Sequence, residues 1–216
     1  MKIGVFGTGT VGGTIATKLV EVGHDVKMGS RTAGNEKAVA WTNAAGARAS
    51  QGTYAEAARF GELLFNCTAG VGSVPALQAA GAGNLGGKIL VDVSNPLDFS
   101  KGMPPSLTVC NTDSLAEQIQ RAFPELKVVK ALNTMTASLM VNPAQLEGEH
   151  DAFICGNDAA AKGRVNELLK GSFGWKNVVD LGDLTAARGQ EMYLIFWVRL
   201  YGALKSPTFN IRVVAT

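Results

Sequence analysis

The chain has 216 residues, 46% apolar and 18% charged, with a net charge of +2, enough to bury the core of one domain with a small appendage. That balance leaves no electrostatic footprint for nucleic acid, and no Lys/Arg run addresses a membrane surface. Three cysteines, Cys67, Cys110 and Cys155, are widely separated without a C-x-x-C pair, which argues against a disulfide framework or a zinc site and for reduced thiols in the cytoplasm.

The first residues enter a strand directly, with no secretory signal pattern. Ile3, Val5 and Phe6 form an apolar run, and Gly7, Gly9 and Gly12 follow at the spacing G-x-G-x-x-G, just before a helical pattern of Ile15, Ala16, Leu19 and Val20. In such a loop the first glycine permits a tight turn, the second lets the backbone approach a pyrophosphate, and the third brings helix and strand together. Thr8, Thr10 and Val11 complete the loop, and the free N–H groups of the first helical turn face the phosphates. The spacing alone arises by chance in a chain with 26 glycines. A second apolar run, Asp25 to Gly29, strengthens it by completing a βαβ unit of about 30 residues.

An acidic residue at the end of that second strand would take the ribose hydroxyls of NAD. This chain reads Gly29-Ser30-Arg31-Thr32 instead. A guanidinium with two hydroxyls suits a ribose 2′-phosphate, so NADP(H) is expected over NAD(H). The competing reading of Arg31 is a solvated residue after a strand.

Further along, Glu36 to Trp41 reads as a helix and Ala47 to Ser50 as a short third strand. Thr53 to Arg59 reads as a helix with Thr53 as cap and Glu56 at the capping-box position. Glu62 to Thr68 is a buried fourth strand ending in Thr68-Ala69-Gly70. A helix over Val74 to Ala80 leads to a fifth strand, Lys88 to Val93, which ends in Ser94-Asn95-Pro96. Asp98 to Pro105 reads as a loop, Asp113 to Phe123 as a helix, and Lys127 to Leu132 as a sixth strand running into Asn133-Thr134-Met135-Thr136. Strands at Ala152 to Cys155 and Val178 to Leu181, separated by a helix over Ala159 to Leu169, extend the sheet. Leu184 to Leu204 forms a long helix, too apolar to stand alone and, as its most apolar part carries Arg199 and is only about 13 residues long, too short for a membrane span.

Alternating strands and helices predict an α/β fold with a doubly wound parallel sheet. Residues 1–182 form its dinucleotide-binding domain, and residues 183–216 a helical segment packed on the sheet or on a partner subunit, with a homodimer expected. Ligands of such a sheet lie outside the carboxyl ends of the strands. One crevice should therefore gather Gly7 to Gly12, Ser30 to Thr32, Thr68 to Gly70, Ser94 to Pro96 and Asn133 to Thr136.

A nicotinamide reaching the later loops would have Thr68, Ala69, Asn95, Asn133 and Met135 as neighbours, none of them a strong acid or base. Reducing a ketone calls for a proton donor, yet His24 precedes the second strand and His150 sits in a polar loop, both read as surface residues. Tyr201 and Lys205 match Y-x-x-x-K, but near the C-terminus, away from where short-chain dehydrogenases carry that pair. Hydride transfer between two flat rings asks only that the rings be held about 3–3.5 Å apart. A crevice of amides, hydroxyls and Met suits it.

At the motif level the chain resembles the NADPH-dependent coenzyme F420 reductases. The resemblance rests on Gly7-Thr8-Gly9-Thr10-Val11-Gly12, Gly29-Ser30-Arg31, Val128 to Thr134, Phe153 to Asp158, and a C-terminal helix with Glu191, Arg199 and Gly202. It implies that Thr10, Ser30 and Arg31 bind NADP, that Asn133 and Met135 lie beside the deazaflavin and nicotinamide as positioning residues, and that a small redox acceptor is the second substrate. Archaeal members carry His where this chain has Asn133. Asn there also resembles the NADPH-binding domain of STEAP-type metalloreductases. Three alternatives stay open: a reductase of a small imine or carbonyl compound, a ferric or flavin reductase, and a non-catalytic NADP-binding sensor.

Overall fold

A computed structural model describes residues 1–215. Its first half alternates strand and helix: β1 (Lys2–Phe6), α1 (Thr10–Glu21), β2 (Asp25–Ser30), α2 (Glu36–Ala45), β3 (Ala49–Thr53), α3 (Tyr54–Phe60), β4 (Leu63–Asn66), α4 (Gly70–Ala80), a single turn α5 (Ala82–Leu85) and β5 (Ile89–Asp92). A two-strand hairpin follows, β6 (Leu97–Asp98) and β7 (Ser106–Leu107), then α6 (Leu115–Ala122) and β8 (Lys127–Ala131). The last part comprises α7 (Ala137–Val141), β9 (Asp151–Gly156), α8 (Ala159–Phe173), β10 (Asn177–Asp180) and α9 (Ala187–Leu204).

Eight strands form one sheet in the order β10-β9-β8-β5-β4-β1-β2-β3. From β3 to β8 every pairing is parallel, which is the doubly wound arrangement with its switch point between β1 and β4. Side-chain alternation supplies both faces with a core. Ile3, Val5, Phe65, Val91 and Val129 join the cluster beneath α1, α7 and α8, while Phe6, Leu64, Leu90 and Val128 join the one beneath α3, α4 and α6.

The two extra strands run the other way. β9 pairs antiparallel with β8, Ala131 opposite Ile154, and β10 is parallel to β9. The expected parallel sheet is thus the six strands from β3 to β8, and the expected extra C-terminal strands extend it in the opposite direction. Their direction follows from the connection, because Leu132 to His150 contains only the five residues of α7 and a 3-10 turn at Pro143–Gln145. That segment stays near the end of β8 instead of crossing back along the sheet as a parallel return requires.

The capping box forms as the sequence indicates. Glu56 N–H donates to Thr53 Oγ1 (3.2 Å), and Thr53 N–H donates to Glu56 Oε2 (2.7 Å). Other boundaries move. α4 begins at Gly70, four residues before Val74; the loop after Asp98 is closed by β7; and α7 was not anticipated.

The first turns of α9 are the most deeply packed, with Ala187, Gln190, Glu191 and Leu194 buried. Further along, Phe196, Tyr201 and Leu204 are exposed. The chain after α9 folds back: Phe209 stacks on Trp197 at 5.2 Å, and Val213 N–H donates to Asp151 Oδ2 at 2.7 Å. Among the described residues no helix is long and apolar enough to cross a membrane.

Candidate active site

The glycine loop occupies the switch point. Gly7 has φ +114°, where a side chain is strained, and a Cβ on Gly12 would collide with the Gly7 carbonyl oxygen. Gly9 differs, because a Cβ there would meet nothing within 4 Å. Open space thus lies over the middle glycine, in front of a helix whose first turn has no acidic residue and no side-chain cap. Uncapped N–H groups and the positive end of the helix dipole make this a place for an anion. Thr10 is exposed there.

A cleft of about 430 Å³ opens beside this loop. Val11, Thr68, Ala69 and Asn95 all line it, so loops after β1, β4 and β5 converge as the strand-end rule requires. The first turn of α4 is likewise uncapped and free of acid. Two ionisable side chains sit on the lining. Asp98 accepts hydrogen bonds from the Ser100 backbone N–H and hydroxyl, which hold its carboxyl below the usual range, and burial pushes the Cys67 thiol far upward. Neither titrates near neutrality.

At the end of β2, Ser30 is buried and its hydroxyl donates to the Thr32 carbonyl (2.6 Å), pinning the turn that carries Arg31. Arg31 and Thr32 are exposed. No salt bridge among the described residues takes up Arg31, whose side chain touches the Tyr54 hydroxyl; burial raises that phenol's pKa against the pull of the guanidinium. Residues present at both anchor points therefore fit NADP: donors at the glycine loop and an unneutralised cation after β2.

Behind the cleft lies a buried polar chain that motif reasoning did not assemble. Thr68 donates its hydroxyl to Asn66 Oδ1 (2.7 Å), and Asn66 Nδ2 donates to Asp92 Oδ1 (2.8 Å). Lys130 Nζ then donates to Asp92 Oδ2 (2.8 Å), to the Ser94 carbonyl (2.6 Å) and to Glu191 Oε1 (2.8 Å). Glu191 in turn accepts from the backbone N–H groups of Leu115 (2.8 Å) and Ala116 (3.1 Å), capping α6 from another helix. Lys130 and Asp92 are wholly buried and Glu191 is 1% exposed. Burial pushes the Glu191 carboxyl up against the pull of Lys130; the ammonium, itself desolvated, is held above its ordinary value by the two carboxylates.

Asn133 belongs to a second buried set. Its amide donates to Asn95 Oδ1 (2.9 Å) and to the Gln190 carbonyl (3.0 Å), while Asn95 Nδ2 donates to the Asn133 carbonyl (3.0 Å). Gln190 also holds the Phe153 carbonyl (3.1 Å) and accepts from the Cys155 thiol (3.0 Å). The amide of Asn133 is thus committed to protein, and it meets the cleft wall through its hydrogen bonds with Asn95. Met135 is buried in the core cluster shared with α1. Leu132, directly before Asn133, has φ +61°, and the neighbouring Thr134 hydroxyl is buried without a protein partner. A buried bulky residue in the left-handed region stores strain where the strand ends, as binding sites often do.

The histidines lie elsewhere. His150 Nε2 is 3.1 Å from the Pro143 carbonyl and Nδ1 is 2.9 Å from Asn210 Nδ2, and the ring meets Trp175 edge-on at 5.2 Å. His24 stands by the N-terminal amine (3.4 Å), with burial lowering its pKa. Tyr201 stacks on Trp197, and Lys205 is the left-handed residue closing α9. Asp92 and Lys130 had a sequence signal: a charge inside an otherwise apolar strand of a sheet buried on both faces must be paired. No signal joins them to Glu191.

A family profile described as NADP oxidoreductase coenzyme F420-dependent matches residues 2–96. A solved structure named as a candidate F420-dependent NADP-reductase, from Arthrobacter sp. FB24, is 52% identical, covers 100% of both chains and superposes with a TM-score of 0.94. Metalloreductase STEAP3 of Rattus norvegicus is 32% identical over 213 residues, 96% of this chain, and the chain spans 38% of that protein's length. A reductive aminase from Aspergillus terreus in complex with NADPH and ethyl levulinate is similar in fold, at 20% identity over 94% of this chain and 62% of its own, with a TM-score of 0.66.

Truncating the buried cation should be costly. Lys130→Met leaves two carboxylates without their counter-charge and is expected to lower stability by about 3–5 kcal/mol. Glu191→Gln keeps the shape and the Asp92 pair and should cost about 1–3 kcal/mol. Urea unfolding of both variants checks the order.

Proposed function

The chain belongs to the NADP oxidoreductase coenzyme F420-dependent family, and from that membership we propose that it transfers hydride between NADPH and the deazaflavin coenzyme F420. Bound NADPH supplies the hydride and becomes NADP⁺, and the deazaflavin takes up that hydride with a proton from solvent. Gly7, Thr8, Gly9, Thr10, Val11 and Gly12 hold the pyrophosphate by backbone donors, and Ser30, Arg31 and Thr32 hold the 2′-phosphate. Thr68, Ala69 and Asn95 form the wall along which the reacting rings are oriented, Asn133 positions that wall through Asn95, and Met135 supports it from the core cluster that also contains Val93 of the lining. The observation that carries this reading is the cleft lining, where Asp98 stays ionised and Cys67 stays a thiol across the neutral range. A site that orients rings without exchanging protons needs no more than this.

The same lining disfavours an imine or carbonyl substrate, whose reduction needs a proton donor beside the reacting carbon. We further propose that the chain forms a homodimer through α9, where Met192, Phe196, Tyr201 and Leu204 are left uncovered. These apolar side chains surround more than one face of the helix, and a second copy would bury part of them.

Mixing the protein with NADPH and, in turn, F420, FMN, a ferric chelate and a cyclic imine, while following NADPH absorbance, should show oxidation fastest with F420. The hydride step in stopped flow should be nearly flat between about pH 5 and 8, where a catalytic His would titrate. Oxidation with the imine alone would replace this reading with that of a small-molecule reductase. Arg31→Ala should weaken NADPH binding by about 10- to 150-fold, the worth of a charged hydrogen bond, and leave NADH nearly unchanged. Light scattering at micromolar protein should give twice the chain mass, and a Phe196→Glu variant should return the monomer.

A further inference from the structure

Away from the glycine loop, the cleft changes character. Val71, on the first turn of α4, is 69% exposed, and Phe99, just past β6, is 56% exposed; both line the cleft. The hairpin that carries Phe99 is anchored to the site. Leu97 pairs with Leu107 and Asp98 with Ser106, and the Thr108 N–H donates to the Pro96 carbonyl at 2.8 Å. Beyond the ring the turn is closed by Ser100 N–H on Asp98 Oδ1 (2.8 Å) and by Gly102 N–H on the Phe99 carbonyl (2.9 Å). Asn95, next to Pro96, is tied by its amide to Asn133 and packs its carbonyl against Gly70, where a Cβ would collide. A half-exposed phenyl is therefore presented by a fixed turn at the mouth of the cofactor cleft.

We propose that Phe99, together with Val71, is the surface on which the planar ring system of the hydride acceptor lies. The β6–β7 hairpin then selects flat polycyclic acceptors over small imines or chelated iron. This deepens the hydride-transfer reading and rests on it. Arg31, the charged group fitted to NADPH, stands after β2, whereas the hairpin end of the cleft presents the apolar side chains of Val71, Leu97 and Phe99, with the Asp98 carboxylate beside them held by the Ser100 N–H. Aromatic rings stack there with a gain beyond their buried area, and covering the cleft with the phenyl excludes water from the reacting rings.

The test uses the full chain and the variants Phe99→Ala and Phe99→Tyr, with two binding readouts. Affinity for F420, and for FMN as a second planar probe, is read on NADP⁺-loaded protein from quenching of the probe's own fluorescence. NADPH affinity is read separately. Phe99→Ala should weaken the planar probes by about 10-fold while Phe99→Tyr stays within about twofold, and NADPH should change by less than about twofold in both. Because the side chain is half exposed, neither variant removes core packing. Equal losses for NADPH and F420 would overturn the proposal by making Phe99 a cover for the nicotinamide. Unchanged probe affinity in Phe99→Ala, in a protein whose wild type reduces F420, would overturn it and leave the function standing. A wild type that neither binds nor reduces any planar acceptor would remove the hydride-transfer reading and this inference with it.

Discussion

A fully desolvated ammonium, Lys130 Nζ, is the constraint around which the site is arranged. Burying such a charge alone costs several kcal/mol, and the cost is offset only when the partners are close and their remaining valences are filled. Here the partners come from three directions: Asp92 on β5, Glu191 on α9 and the Ser94 carbonyl just after β5. The N-terminal amides of α6 face the cluster through Glu191, where a helix dipole favours an acidic group. Two strands, two helices and the wall of the cleft are thereby held in one register.

That register explains how a segment beyond the six-stranded core enters the site. Gln190 and Glu191 are consecutive on the first turns of α9, yet they serve different networks. Glu191 completes the ion cluster, and Gln190 locks Asn133 and the Phe153 and Cys155 region of β9. Both chains of contacts end on the cleft wall, one through Thr68 and Ser94 and the other through Asn95. The cleft itself lies beside the uncapped amides of α1 and α4, has Val71 and Phe99 on its lining, and carries no lining side chain that exchanges a proton near neutral pH.

Much of this was legible in the sequence wherever the determining physics is local. The glycine loop is one such place, since the turn geometry at Gly7 and the close approach of Gly12 to the Gly7 carbonyl both arise within six residues, although Gly7 also meets the Cys67 carbonyl after β4. The Thr53–Glu56 capping box is another. Strand-end residues could be listed because apolar runs mark strands, and the strand-end rule then selects Thr68, Ala69 and Asn95. Local signals misled where tertiary contacts outweigh propensity. α4 starts at Gly70 through a glycine-rich stretch that sequence reasoning leaves as a loop; there, packing against the Asn95 carbonyl and the Asn66 to Ser73 hydrogen bond (3.0 Å) fix the backbone.

The sequence by itself determined a doubly wound α/β fold, a dinucleotide loop at its switch point, and a cation in place of an acid after β2, because each depends on residues near one another in the chain. Only the tertiary structure decided the direction of β9 and β10, the pairing of Lys130 with Glu191 across 61 positions, and the commitment of the Asn133 amide to Asn95 and Gln190. These depend on which elements meet. A buried charge announces that it needs a partner, but the identity of that partner is set by the packing of helices and strands, which no local pattern encodes.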